Sequence, residues 1–128
     1  MNFIISYGVY PFDLMVSIGE DTETVKKRLS KTNLSRLDIE QTDVYEIVGK
    51  GRTVMFSNGA TLLRLPHLPE TPFEFGVLSH EIFHCVHFLF EKIGIKLSMD
   101  SDEAFAYMVG YITSEIFHRA KLTIPCNP

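Results

Sequence analysis

The sequence predicts an α+β domain with the element order ββαββαα, and two observations support this class. Short apolar runs typical of strands fill residues 3–18 and 44–65, and turn residues interrupt both. Two longer stretches follow, over residues 71–94 and 101–120, with the apolar spacing of helices. We therefore expect an antiparallel or mixed sheet with its main helices late in the chain, within a single domain over residues 1–128.

The first strands are predicted close to the N-terminus. Residues 3–18 alternate loosely between apolar and polar side chains, and Pro11 lies within the run. Because proline cannot donate a backbone hydrogen bond, we expect either two strands or a strand and an extended arm, with a break at residues 8–13.

A short polar helix is predicted after these strands. Asp21 or Thr22 can cap it, and it runs over about residues 23–29. Residues 32–40 either continue this helix or form a second short one. Since the segment is polar, we expect it to cover one face of the sheet.

The middle of the chain carries the clearest hairpin signal. Residues 44–48 and 52–56 are strand-like, and Asn58-Gly59 is typical of a tight hairpin turn. Residues 60–65 then return as the next strand.

Start and stop signals bound the first long helix. Thr71 can cap it, Pro72 suits the first helical position, and Glu74 can complete a capping box. Gly94 is typical of a helix end. The last helix is expected over residues 101–120.

Composition limits the classes of partner. The formal net charge is −4 and no basic stripe is present, which argues against a nucleic-acid partner. The apolar runs are too short to span a bilayer, and the N-terminus lacks a signal-peptide pattern. Cys85 and Cys126 do not make a disulfide framework, which favours a reducing compartment. We expect a cytoplasmic protein without a membrane partner, and the sequence leaves its oligomeric state open.

One stretch, His80-Glu81-Ile82-Phe83-His84, reads H-E-x-x-H inside the first long helix. At about 100° and 1.5 Å per residue, both imidazoles lie on one face and can reach one ion. Glu81 projects beside them, where it can hold a metal-bound water. The motif predicts a hydrolase with zinc as cofactor and Glu81 as general base. The alternative is a structural domain whose two histidines are hydrogen-bonded and inert.

A third zinc ligand is expected from the final helix. Glu103 lies nineteen residues after His84, in the predicted first turn of that helix. A short connection over residues 94–100 makes the two long helices neighbours, so Glu103 can point back at the motif. Asp100 and Asp102 are the rival acids, and the alternative is that all three only complement the helix dipole.

These residues resemble the gluzincin metallopeptidases, notably the aminopeptidase-N-like branch. The spacing matches, and residues 102–107 look like the N-E-G-F-A-x-Y and N-E-A-x-x-D stretches around that family's third ligand. The matched region is about a quarter of the chain. The wider sequence is also similar to small, uncharacterised zincin-like proteins of phages and their hosts. The resemblance implies a minimal zincin-like domain that hydrolyses a peptide bond by metal-activated water, with Glu81 as base and zinc bound by His80, His84 and Glu103.

The chain departs from the gluzincin pattern in several places. Asp102 replaces the usual Asn, and Tyr107 stands where thermolysin-like members place an Asp that orients a zinc histidine. A tyrosine hydroxyl could orient that histidine instead, so Tyr107 is a candidate catalytic residue. The G-x-M-E-N substrate motif is absent, so the family's substrate specificity does not carry over to this chain.

The group that would stabilise the oxyanion, and the rival function, stay open. The candidates are Tyr107, Tyr111, His87 and His67.

By resemblance, residues 59–65 would be an edge strand that binds the backbone of a peptide or protein substrate, and the alternative is an interior strand. Because the chain is small and the oxyanion group unassigned, the rival function is a non-catalytic or weakly catalytic binding or regulatory protein on the zincin scaffold.

Overall fold

The computed structural model describes residues 1–40, 46–47 and 49–122. Within them the elements follow the order ββααββαα, and the class is α+β, as the sequence predicts. The strands are β1 (Asn2–Ser6), β2 (Asp13–Ile18), β3 (Arg52–Met55) and β4 (Thr61–Leu65). The helices are α1 (Thr22–Leu29), α2 (Arg36–Glu40), α3 (Pro72–Ile93) and α4 (Asp102–Arg119). Helix α2, one of the two alternatives for residues 32–40, is the difference from the predicted order.

The four described strands form one mixed sheet in the order β1-β2-β4-β3. The antiparallel pairs β1–β2 and β3–β4 meet through a parallel pairing of β2 with β4. Strand β4 is therefore interior, and all of its residues are buried. The expectation that residues 59–65 provide an edge strand is wrong, and the interior alternative is confirmed. The predicted strand over residues 44–48 falls largely outside the described residues, as does Cys126.

The predicted turn at Asn58-Gly59 joins β3 to β4. The Asn58 side chain accepts a hydrogen bond from the Ala60 amide at 2.9 Å, and Gly59 has a φ of 93°. A Cβ at Gly59 would lie 2.6 Å from the Phe12 ring. Glycine is therefore required there both for the left-handed backbone and for space.

Helix α3 has the ends that the sequence predicts. The Glu74 amide donates to the Thr71 hydroxyl at 3.2 Å, and the Thr71 amide donates to the Glu74 carboxyl at 3.1 Å, which completes the capping box. Gly94 ends the helix with a φ of 83°. None of the helices in the described part of the chain combines the length and apolar character needed to cross a membrane.

Two apolar cores lie on opposite faces of the sheet. One lies between the sheet and helices α3 and α4, and the other between the sheet and the segment with α1 and α2. Neighbouring residues of β4 divide between them, because successive side chains of a strand point to opposite faces. Leu63 belongs to the α3 side and Leu62 to the α1 side. The polar segment with α1 and α2 therefore covers one face, as expected.

Helix α4 returns antiparallel to α3 and reaches the edge strand β1. The rings of Phe90 and Phe105 pack with centroids 4.4 Å apart at one end of the helix pair, and those of Phe75 and Phe117 with centroids 5.7 Å apart at the other. Tyr111 on α4 then donates to a β1 carbonyl, at 2.7 Å. Backbone groups of an edge strand are thereby covered by α4, which opposes pairing with another chain.

An ion pair between Glu20 and Arg28 ties the end of β2 to α1. The Arg28 guanidinium donates to both Glu20 carboxyl oxygens at 2.6 Å, and the Ser17 hydroxyl donates at 2.7 Å. The Arg28 hydrogen bonds, with that of Ser17, lower the pKa of Glu20 from 4.5 to about 2. Because the folded pKa lies below the ordinary value, this pair stabilises the fold above about pH 4.5 and loses its contribution as the pH falls toward about 2.

We expect Arg28→Met to lower the free energy of unfolding by about 1–2 kcal/mol at pH 7, since Arg28 is partly exposed. The difference from the wild type should shrink below pH 4.5 and disappear near pH 2. Urea denaturation at several pH values measures both. The control is Arg36→Met, because the Arg36 side chain is 90 % exposed in its 2.8 Å pair with Glu40 and should contribute almost nothing. A constant difference between pH 7 and 2 would contradict the assignment.

Candidate metal centre

His80 and His84 approach one another on the outer face of α3. Their Nε2 atoms are 3.1 Å apart, and the rings lie edge to face with centroids 4.7 Å apart. His80 is exposed and His84 is half-buried. Two imidazole nitrogens on one tetrahedral zinc ion, each about 2.0–2.1 Å from the metal, lie about 3.3 Å apart. The 3.1 Å separation is that of a hydrogen bond between the two rings, which is the contact that the alternative interpretation expects, and it is also close to the spacing of two nitrogens on one zinc ion.

Glu81 lies between these histidines in sequence, yet its side chain turns toward the sheet. It is only 6 % exposed, and its Oε1 accepts a hydrogen bond from the Thr53 hydroxyl at 2.8 Å. Thr53 belongs to β3, the edge strand of the described sheet next to α3. The Glu81 carboxyl is thus a buried polar group with a partner, as a stable fold requires.

Further polar side chains are buried near Glu81 beneath α3. The Cys85 thiol contacts the Thr53 hydroxyl, and burial raises the pKa of this thiol well above its usual range. The hydroxyls of Tyr7 and Thr61 are hydrogen-bonded to each other, and burial likewise raises the pKa of Tyr7. The Cys85 thiol and the Tyr7 hydroxyl are therefore neutral at pH 7, and they stabilise the buried region through hydrogen bonds rather than charge.

A groove opens beside His80 and Glu81 on the outer surface. It runs along the first half of α3 and the turn before β3, and its other lining residues are Lys50, Gly51, Phe73, Gly76 and Val77. The groove gives a ligand a route to His80 and Glu81, and His84 is not among its lining residues.

Glu103 lies in the first turn of α4, as predicted, but the structure does not bring it to the histidine pair. Helix α4 packs on the side of α3 that carries Phe75 and Phe90. Around the α3 axis, His84 points about 180° from Phe75 and about 120° from Phe90. Phe105 packs against Phe90, about 9 Å along the α3 axis from His84, and Glu103 lies two residues before Phe105 and therefore farther from His84. Among the described residues, no three His, Cys, Asp or Glu side chains come together as a metal-binding group.

The two tyrosines proposed for the oxyanion lie on the β1 side of α4, away from the histidines. Tyr107 is 76 % exposed and lines a groove with Tyr10 and Phe90. Tyr111 donates to the Ser6 carbonyl at 2.7 Å. Neither is positioned to orient His80 or His84 in the manner that the resemblance implies for Tyr107.

The two candidate histidines have other neighbours. His87 is exposed on α3, and its ring stacks on Phe83 with centroids 6.1 Å apart. His67 precedes α3, and its Nε2 lies 3.1 Å from a carboxyl oxygen of Glu74 in the first turn of that helix. His87 alone of the four candidates shares the outer face of α3 with the pair.

The sequence analysis does not predict that Thr53 belongs to this site. The alternation of side chains along a strand is the signal that could have indicated it. Val54 and Phe56 are apolar and both belong to the α1-side core, so the residue between two such positions or before them faces the other side of the sheet. Thr53 must then face α3. The sequence pattern alone does not say which helix covers that face.

No protein-family model matches the chain, and neither curated proteins nor solved structures match it. The histidine pair fits two ligand positions of a zinc ion, and Glu103 does not fit the third in this arrangement.

Proposed function

We propose that this chain is a zinc-dependent metallopeptidase in which His80 and His84 bind the metal and Glu81 is the general base. The observation that carries the proposal is the 3.1 Å separation of the two Nε2 atoms, next to a buried glutamate. A peptide or protein chain in the groove beside His80 would be the substrate.

Each side chain has a separate task in this proposal. A bound zinc ion would supply Lewis acidity and a water whose pKa is about 7. His80 and His84 would hold the metal on the outer face of α3. Glu81 would accept a proton from the attacking water and pass it to the departing amine. Because Oε1 is engaged by Thr53, we assign the proton transfer to Oε2.

A second candidate is a non-catalytic binding or regulatory protein on a zincin-like scaffold. It is favoured by the position of Glu103, which leaves the described residues without a three-ligand group. Catalytic zinc sites ordinarily combine three protein ligands with an open position for water. This candidate predicts zinc binding without turnover.

The test is the zinc content and peptide turnover of the full chain, purified without chelators or a histidine tag. We expect about one zinc per chain by mass spectrometry and an affinity at least about tenfold lower in His84→Ala, equivalent to about 1.4 kcal/mol or more. Glu103→Ala should retain zinc, because Glu103 lies away from the pair. Loss of zinc in Glu103→Ala would instead mean that α4 moves to the motif when metal binds. Wild-type protein that takes up no zinc would overturn the proposal, and zinc without turnover would favour the second candidate.

A further inference from the structure

We infer that the entry to β3 is the positioning element for the general base, with Thr53 holding the Glu81 side chain in its working place and Gly51 leaving the space that this side chain needs. This inference rests on the proposed function and extends it to two residues outside the H-E-x-x-H motif. Its first support is the Thr53 hydroxyl, which lies 2.8 Å from Glu81 Oε1 and 3.3 Å from the Glu81 carbonyl oxygen. A single hydroxyl therefore ties the end of the side chain to the backbone of the same residue.

Gly51 leaves room for the middle of the same side chain. A Cβ built on Gly51 would lie 3.1 Å from Glu81 Cγ, 3.2 Å from a Val77 methyl and 3.3 Å from a Leu65 methyl. These separations are tighter than ordinary van der Waals contacts, so an alanine at this position would press on the Glu81 side chain, whereas glycine leaves it room. Gly51 is not among the residues with positive φ, so space rather than backbone conformation favours glycine there.

The Thr53 hydroxyl and the space at Gly51 act at different points of one flexible side chain. A glutamate has three rotatable side-chain bonds, and one whose Oε1 is held by the Thr53 hydroxyl has less freedom left to lose when the substrate arrives. A catalytic group held in the reactive geometry avoids reorganisation during the reaction. Thr53 and Gly51 are thus positioning residues, since they act through Glu81 and not on the substrate.

The test compares variants in pairs that separate the hydroxyl and the space from general effects on folding. Thr53→Val keeps the shape and removes the hydroxyl, whereas Thr53→Ser keeps the hydroxyl. Gly51→Ala fills the space, and Gly110→Ala is its control, because a Cβ on Gly110 in α4 would meet nothing within 4 Å. Steady-state kinetics use zinc-loaded full chain and a peptide that the wild type cleaves, with zinc content and thermal unfolding recorded for each variant.

We expect Thr53→Val to lower kcat roughly 10- to 100-fold, with KM and zinc content unchanged, and Thr53→Ser to stay within about threefold of the wild type. Gly51→Ala should also lower kcat, and Gly110→Ala should not. If Thr53→Val does not fold, the comparison of kcat between Gly51→Ala and Gly110→Ala tests the inference instead. A kcat in Thr53→Val or Gly51→Ala equal to that of the wild type, or a change confined to KM, overturns the inference while leaving the proposed function intact. A zinc-loaded wild type without turnover contradicts the proposed function itself, and the inference is overturned with it.

Discussion

Replacing Glu81 by Gln is expected to lower kcat for peptide hydrolysis by roughly 10²- to 10⁴-fold without loss of zinc. Glutamine has nearly the same shape as glutamate, but its neutral amide cannot take a proton from the attacking water. Its amide oxygen can still accept the hydrogen bond that Thr53 donates to Oε1 at 2.8 Å, so the side chain should stay in place. Because the proposed metal contacts come from His80 and His84, zinc content should match that of the wild type.

The measurement is turnover of a library of fluorescence-quenched peptides by zinc-loaded protein. Glu91→Gln is the matched control, because Glu91 is an exposed acid on the same helix and lines no groove near the pair. It should keep turnover within about twofold of the wild type, as expected for surface substitutions away from special features. Equal turnover by Glu81→Gln and wild type would rule out the general-base assignment and leave zinc alone to account for hydrolysis.

Local sequence patterns were sufficient for the features that depend on neighbours in the chain. Thr71, Pro72, Glu74 and Gly94 predicted the ends of α3, because capping chemistry acts within one helical turn. The meeting of His80 and His84 followed from helix geometry in the same way. The Asn58-Gly59 turn was also predictable, since a tight turn tolerates few residue types.

The sequence was insufficient where placement depends on residues that are distant in the chain. The position of Glu103 follows from the way in which α4 crosses α3, and Phe90 with Phe105 determines that crossing at one end. A short connecting loop makes two helices neighbours but does not specify which faces meet. Strand order likewise depends on residues that are distant in the chain. The sequence of residues 60–65 is compatible with an edge strand or an interior strand, because it does not specify which strands pair with it.

Replacing Phe90 by Ala is expected to lower the free energy of unfolding by about 3–5 kcal/mol. Phe90 is 1 % exposed, and its ring packs edge-on against Phe105 at 4.4 Å and against Tyr10 at 6.2 Å between centroids. Alanine would leave a cavity where α3, α4 and the turn between β1 and β2 meet. Surrounding side chains close such a cavity only in part, so lost transfer energy and lost contacts add together.

Urea denaturation of Phe90→Ala beside Phe83→Ala separates burial from the loss of an aromatic ring. Phe83 lies on the same helix but is 44 % exposed, so its replacement should cost less than about 1 kcal/mol. The Phe90 variant should also unfold at a temperature about 10–20 °C lower. If Phe90→Ala leaves too little folded protein to measure, Phe90→Leu should show a smaller loss in the same direction. Similar losses for Phe83 and Phe90 would mean that the contact with Phe105 does not hold α4 in place, and the separation of Glu103 from the histidines would no longer follow from that contact.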